Sequence, residues 1–475
     1  MTSEPIFTPS DHRDYETSLL YMLKLSGPMV VSTVSFTIMQ FVDRFMVSRL
    51  GTDALAAVLP AGFVSFLPGG FALGAITSLN TFVSQSLGRG ERAQCANYFW
   101  QMLYMGFGYF LVVVAVMSPL APLIFRLMGQ PESVADLEVI YLRITLYAHI
   151  AAVINWSSNQ FFMGIHKPFI TMCSSLCGQV VNILANYALI FGKFGFPALG
   201  IAGAAWGTFI GIAAAALINI GLFLSGPVNR QFQSRRTWFL DVEKMRDLLG
   251  VGLPAGVGLM VNLAVWGVIL FALVGRFGKE ALAATSAVLS YTNVSAMPIV
   301  GISTALTAAV GKQIGAGRKN FALKQTHISL KVALVYMGFV GACFWFLRDA
   351  LMVFWSEDPQ VIEIGTRMLI CAAIYQMFYA ARIIYGGALR GAGDTRWLAF
   401  ISGVGALGIL GAGGFLVAWL LPSLGALGPW IVAAVSIVTV GLANRRRFLS
   451  KRWTRIDLFR DRAVTPSAPM DSMGQ

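Results

Sequence analysis

The heptapeptide Gly51-Thr-Asp-Ala-Leu-Ala-Ala57 returns as Gly278-Lys-Glu-Ala-Leu-Ala-Ala284, and the offset of 227 holds without a gap as far as Gly90 and Gly317. Within that stretch Gly74 falls on Gly301, Thr77 on Thr304, Leu79 on Leu306, Val83 on Val310 and Gly88 on Gly315. Two units of 227 nearly fill the 475 residues, so the chain is one structural unit written twice. Only folds made of two like halves satisfy this.

Composition names the solvent. Hydrophobic residues are 56% of the chain and charged residues 12%, too few charges to cover a water-facing surface of this size. In lipid every backbone N–H and C=O needs an internal partner, which leaves a helix bundle or a closed barrel. Runs such as Ile201 to Leu224 and Ala399 to Leu421 are long and lack the period-2 alternation of barrel strands. The expected fold is an all-α integral membrane protein with twelve transmembrane helices. Approximate spans are 19–48, 54–87, 95–125, 137–163, 169–192 and 199–225, then 245–275, 281–314, 323–347, 361–388, 397–421 and 426–448.

Punctuation gives the organisation: an N-terminal segment 1–18, a six-helix lobe 19–225, a polar linker 226–244, a second six-helix lobe 245–448 and a basic tail 449–475. Loops after even-numbered helices carry fourteen Lys and Arg residues, among them Arg89, Arg92, Arg235, Lys312 and Arg318. The opposite loops carry six, from Arg49 to Arg348. Both termini are therefore expected in the cytoplasm, in a plasma (inner) membrane. Six is an even number of crossings, so the lobes run in the same direction and are related by a pseudo-two-fold axis along the membrane normal. The first 18 residues lack the basic start and short apolar stretch of a cleavable signal peptide, so the first helix is expected to serve as anchor.

The net charge of +13 belongs to this topology rather than to nucleic-acid binding. Cys173 and Cys177 share a helix face, but no His or carboxylate joins them, and the four histidines lie in separate segments. Gly315-Ala-Gly-Arg and Arg390-Gly-Ala-Gly-Asp lack the Gly-Lys-Ser/Thr ending of a P-loop. An integral membrane enzyme is thus disfavoured, no cofactor is expected, and an ion gradient is the expected energy source. A channel fits poorly with the large repeat and a single buried acid.

A charge inside lipid costs about 2.5 to 3.5 kcal/mol on insertion scales, so intramembrane ionisable groups are functional candidates. Asp43, in Gln40-Phe-Val-Asp-Arg-Phe-Met46, is such a group. Aligning Pro28 with Pro254 puts it opposite Ile269 or Leu270, so the second copy has no acid there. A pair with Arg44 is awkward, because neighbouring helix positions point about 100° apart. On the fifth helix Thr171, Ser175, Gln179, Asn182 and Asn186 form one polar stripe. Asn155 and Asn159 on the fourth helix and Thr208 on the sixth add to it. Singly such residues read equally well as hydrogen-bonding glue between helices; as a set beside an acid they favour a hydrated cation pocket. Second-lobe polar candidates are Asn262, Tyr291, Asn293, Gln376, Tyr379 and Arg382. Arg382 has three open readings: holding an anionic substrate, pairing with a carbonyl or phenol, or snorkelling.

Phe41-Val-Asp43, the Gly-x-x-Ala-Leu-Ala-Ala openings of the second and eighth helices, Asn182-Ile-Leu-Ala-Asn186 before Phe191-Gly, and Leu389-Arg-Gly-Ala-Gly-Asp394 resemble the multidrug and toxic compound extrusion (MATE) family. The similarity runs from about residue 18 to 448. It implies two six-helix lobes around a central cavity and export of cationic, amphipathic compounds in exchange for protons or sodium ions. Family cation-site positions match Asp43, Asn182, Asn186 and Thr208, with Asn186 standing where many members have Asp. A glutamate that NorM-like and eukaryotic members use in helix seven aligns with Trp266 or Gly267, and a NorM-like acid in helix ten aligns with Tyr379. These departures favour a DinF-like, first-lobe mechanism.

The resulting expectation is alternating access with Asp43 as the coupling residue, protons favoured and a sodium site at Asp43, Asn182, Asn186 and Thr208 as the alternative. Substrate contacts are expected from Gln40, Asn155, Asn159, Gln179, Asn262, Tyr291, Asn293, Gln376, Tyr379 and Arg382, with Met and aromatic side chains supplying adaptable surface. The partners expected are drug-like small molecules, a coupling cation and the bilayer, for a monomer. A lipid-linked oligosaccharide flippase is the alternative, but the spans lack the several basic residues a pyrophosphate requires.

Overall fold

The computed structural model describes residues 18–129 and 131–459; most of the N-terminal segment and the end of the basic tail lie outside them. The described residues are helical, without strands, and twelve helices are long and apolar enough to cross a membrane. In the first lobe these are α1 (Leu19–Ser48), α2 (Thr52–Gly88), α3 (Arg92–Leu127), α4 (Glu132–Gly164), α5 (Pro168–Phe191) and α6 (Ile201–Phe223). In the second they are α7 (Val242–Phe277), α8 (Lys279–Gly315), α9 (Lys319–Phe346), α10 (Pro359–Gly391), α11 (Thr395–Leu420) and α12 (Leu427–Leu449). The chain is an integral membrane protein.

Local chemistry places the helix ends. Ser18 Oγ accepts the Tyr21 N–H at the start of α1, Asp241 accepts the Lys244 N–H at the start of α7, and Asp358 accepts the Gln360 N–H at the start of α10. Pro168 opens α5 and Gly192 closes it in the left-handed conformation, φ 65°. A short helix, Gly226–Phe232, begins the connection between lobes.

Packing repeats as the sequence does. In the first lobe α2 packs on α4, α4 on α3 and α6, and α1 on α5; in the second, α8 packs on α10, α10 on α9 and α12, and α7 on α11. Each copy also reaches across: α2 lies against α7, and α8 against α1. The repeated glycines explain why. A side chain at Gly74 would stand 2.7 Å from the Ala255 carbonyl of α7, and one at Gly301 would stand 2.9 Å from Val30 N of α1. Gly88 and Gly315 let the ends of α2 and α8 cross, each facing the other's backbone. Close approach of backbones is what small residues allow between membrane helices.

Hydrogen bonds between the lobes gather toward the end of the bundle where α2 and α8 finish. Asn80 Nδ2 reaches the Thr304 carbonyl at 3.5 Å, Thr81 Oγ1 donates to the Arg390 carbonyl at 2.9 Å, and Gln85 Nε2 donates to the Gly391 carbonyl at 2.9 Å. His166 links α1 to α8, 2.6 Å from the Tyr21 hydroxyl and 3.2 Å from the Ala308 carbonyl. The segment after α12 closes over this basic end. Phe459, 5% exposed, sits against Phe82 and Tyr98 of the first lobe with Arg89 over its ring at 4.6 Å.

Candidate functional site

Asp43 lies near the far end of α1, away from the basic end. Asn186 of α5 donates its Nδ2 to Asp43 Oδ1 at 2.7 Å, and the same nitrogen lies 3.4 Å from Asn182 Oδ1. Asn182 and Asn186 are 2% and 0% exposed, while Asp43 is half-buried and Arg44 exposed. The carboxylate therefore engages α5 rather than its sequence neighbour. Asn186 Oδ1, turned toward Gly207 of α6, is buried and has no donor.

Asn186 is held from behind by a glycine that sequence reading passed over. A side chain at Gly207 of α6 would collide with the Asn186 amide and stand 2.8 Å from its backbone nitrogen. The signal was available in Gly203, Gly207 and Gly211, spaced by four along α6, since small residues at that spacing mark tight helix contacts. Thr208, one residue on, turns its hydroxyl to its own helix and donates to the Ala204 carbonyl at 3.0 Å. The structure thus brings Asp43, Asn186 and Asn182 together and leaves the Thr208 hydroxyl engaged elsewhere. Tyr141 of α4, also missed, belongs to the clusters that join Val47, Ile190 and Ala204 to Ala57, Val134 and Ile201.

Asn155 and Asn159 are tied together by a residue not singled out from sequence. Asn219, fully buried on α6, donates Nδ2 to Asn155 Oδ1 at 3.0 Å and to Asn159 Oδ1 at 3.1 Å. In the second lobe Asn444 of α12 makes a different bond, its Nδ2 lying 3.3 Å from the backbone carbonyl of Arg382 on α10. The oxygens of Asn155 and Asn159 are thus both engaged by α6, a contact that joins α4 to α6. Gln179 is half-buried on the α5 stripe, and Gln40 is exposed.

Among the second-lobe candidates, Gln376, Tyr379 and Arg382 share α10, and the Tyr379 phenol and Arg382 guanidinium act on one another electrostatically. Tyr291 donates its hydroxyl to the Leu351 carbonyl at 2.8 Å, Gln376 is buried, Asn262, Tyr379 and Arg382 are half-buried, and Asn293 is exposed. Asp394 of the Leu389-to-Asp394 motif is clamped by Arg447, with Nε to Oδ2 at 2.7 Å, so that motif fastens α10 to α12.

The repeat is most informative where it fails. The reciprocal glycine contacts align α1 with α7 at an offset of 226, which puts Asp43 opposite Ile269 at the end of the π-helical stretch Val265–Ile269. At 227, Asn182 and Asn186 fall opposite Ile409 and Gly413, within the π-helical stretch Val404–Gly413. The polar site of the first lobe and the two widened, apolar helix segments of the second occupy equivalent places. Extra backbone length in one copy and a polar cluster in the other make the lobes unequal at these positions.

A duplicated twelve-helix bundle with an oxygen-lined polar cluster inside one lobe defines a membrane transporter of the parallel-repeat kind. The MatE family profile matches residues 28–188 and 256–412, one stretch in each copy, and the chain belongs to that family, the MATE transporters. It is 28% identical over 454 residues to the probable multidrug resistance protein NorM of Chromobacterium violaceum, covering 93% of this chain and 95% of that one. It is likewise 28% identical to the multidrug resistance protein MdtK of Yersinia enterocolitica, over 91% of this chain and 95% of the relative. Among solved structures, a MATE in complex with MaL6 superposes with a TM-score of 0.84 at 18% identity, covering 94% of this chain and 99% of that one. An outward-facing MATE transporter superposes at 0.83 and 19% identity, covering 93% and 98%.

Proposed function

We propose that this protein is a secondary multidrug exporter that drives cationic, amphipathic compounds out of the cell by antiport with a cation taken up at Asp43. The single observation that carries the coupling step is the convergence of Asp43 and Asn186 at 2.7 Å, in a lobe whose twin has apolar residues at the equivalent places. A carboxylate backed by amide oxygens suits a proton, and it also supplies the hard ligands sodium prefers. Protonation or sodium binding removes the negative charge that a cationic substrate would use as counter-ion, so cation entry and drug release exclude one another. The multidrug names of the NorM and MdtK relatives support the substrate class.

The proposed topology places the basic end, and with it both termini, in the cytoplasm of a bacterial inner membrane. On that orientation the lobes are joined at the cytoplasmic side, the arrangement of a carrier open to the outside, in keeping with the likeness to an outward-facing relative. Ethidium efflux from everted vesicles tests the coupling step. Asp43→Asn is expected to abolish gradient-driven efflux, and wild-type rates in that variant under a proton gradient would refute the mechanism. Substituting a sodium gradient in proteoliposomes identifies the ion.

A further inference from the structure

Glu138, in the second turn of α4, is 0% exposed, and neither of its carboxylate oxygens has a hydrogen-bond partner. One turn before it on the same face, Val134 belongs to the cluster with Ala57 of α2 and Ile201 of α6. One turn after it, Leu142 belongs to the cluster with Ala61 of α2 and Ala121 and Phe125 of α3. The positions one turn to either side of Glu138 on its face thus pack on apolar residues of those helices. The charged groups nearest in sequence on α3 and α4, namely Arg126, Glu132, Asp136 and Arg143, are exposed. Asp43 and Arg44 of α1 act electrostatically on Tyr141, one turn from Glu138.

A dry carboxylate without a donor is costly by several kcal/mol, so a group retained in such a place is compensated by something that binds it. The field of the helix N-terminus does not supply this. Glu138 is the seventh residue of α4, and that field fades within the first turn. Nor is the carboxyl a demand of the scaffold. Gly164 and Gly391 make the same contacts in the two lobes, with Val83 and Asn80 in one and Val310 and Thr307 in the other, which aligns α4 with α10 at 227. At that offset Glu138 falls on Gly365, whose missing side chain is replaced by Met352. The second copy fills the place with a thioether; the first puts an acid there, one turn along α4 from Tyr141.

We propose that Glu138 is a second cation-carrying carboxyl of the first lobe, loaded with a proton or sodium ion and emptied in the same cycle as Asp43. The proposal rests on the antiport reading above. It makes the coupled cation count one higher than Asp43 alone provides.

The test uses the full-length protein in proteoliposomes with ethidium as substrate. Glu138→Gln keeps the shape of the side chain and removes its capacity to carry a cation. The variant is expected to melt as the wild type does and to keep ethidium counterflow, which needs alternating access but no gradient. Its steady-state accumulation should fall about tenfold under a one-unit pH gradient if the ion is a proton, or under a tenfold sodium gradient if it is sodium. Glu138→Asp should recover part of that loss. Wild-type accumulation under both gradients, or loss of counterflow with early melting and no rescue by Asp, overturns the proposal and makes Glu138 a packing residue. Asp43→Asn in parallel separates the two readings: if it accumulates dye at the wild-type level, the antiport reading fails first.

Discussion

Asn186 Nδ2 bonds Asp43 Oδ1 at 2.7 Å, an α5 amide holding an α1 carboxylate, and the amide's own oxygen is left free in the protein interior. The pair is polarised, with Asn186 donating, so its behaviour on substitution follows directly. Asn186→Asp replaces the donor with a second acid at the same place. Two carboxylates that close cannot both stay ionised, and the pair then needs an additional cation. Sodium dependence of ethidium efflux is expected to appear or steepen in Asn186→Asp, measured as efflux rate against sodium concentration at fixed pH. Asn186→Ala should slow gradient-driven efflux by about tenfold, the loss of one hydrogen bond to a charged group.

Gly207 is the residue behind that pair. A methyl group there meets both the Asn186 amide and its backbone nitrogen, so rotation of the side chain does not relieve the clash. Gly207→Ala is expected to lower stability by about 1 to 3 kcal/mol and to impair coupling with it. Thermal melting in detergent and dye efflux should fall together; a variant that melts normally and pumps normally shows that α6 can move away.

The scaffold was largely legible in the sequence, and the reason is physical. Gly74, Gly88, Gly301 and Gly315 recur because two backbones must touch at those points, and a requirement on backbone spacing leaves a residue-type signature. Asp43 was legible because charge in lipid is expensive and therefore conspicuous. Glu138 was not. It follows Asp136-Leu137 at the expected start of a span, where an acid reads as an interfacial residue, and only the packing of Val134 and Leu142 shows that it is enclosed. Asn219 was hidden for a related reason: its importance lies in partners 60 and 64 residues away, a separation that helical periodicity does not reveal. The π-helical stretches of α7 and α11 were equally invisible, since an extra residue per turn leaves an apolar run looking continuous.

Gly301 offers a test of the inter-lobe contacts that is independent of the polar site. Its Cα faces the backbone of Met29 and Val30, and a side chain would stand 2.9 to 3.1 Å from backbone atoms that cannot rotate out of the way. Gly301→Val is expected to wedge α8 from α1, lower the melting temperature and reduce efflux while Asp43 and Asn186 remain intact. Gly74→Val should behave alike through α2 and α7, because the two contacts are copies. A large difference between the two variants would show that the lobes are unequal in their scaffold as well as in their chemistry.

Phe459 ties the segment after α12 to the first lobe. It follows the last helix of the second lobe yet packs on the first, with ring centroids 6.0 Å from Phe82 and 6.4 Å from Tyr98. Its neighbour Leu458 lies against Gly393, at the turn after α10. Opening the basic end requires this strap to leave the first lobe, which exposes a buried aromatic worth about 1.5 to 3 kcal/mol and breaks the Arg89 cation–π contact, worth about 0.5 to 1 kcal/mol. Phe459→Ala removes that cost and should shift the population toward the form open at the basic end by about tenfold or more. Spin labels on the loops after α2 and α8, in a cysteine-free background, read the shift as a longer inter-label distance. If the distance distribution is unchanged, the other inter-lobe contacts, among them those of Thr81, Gln85 and the crossing glycines, suffice, and the strap carries no share of the conformational equilibrium.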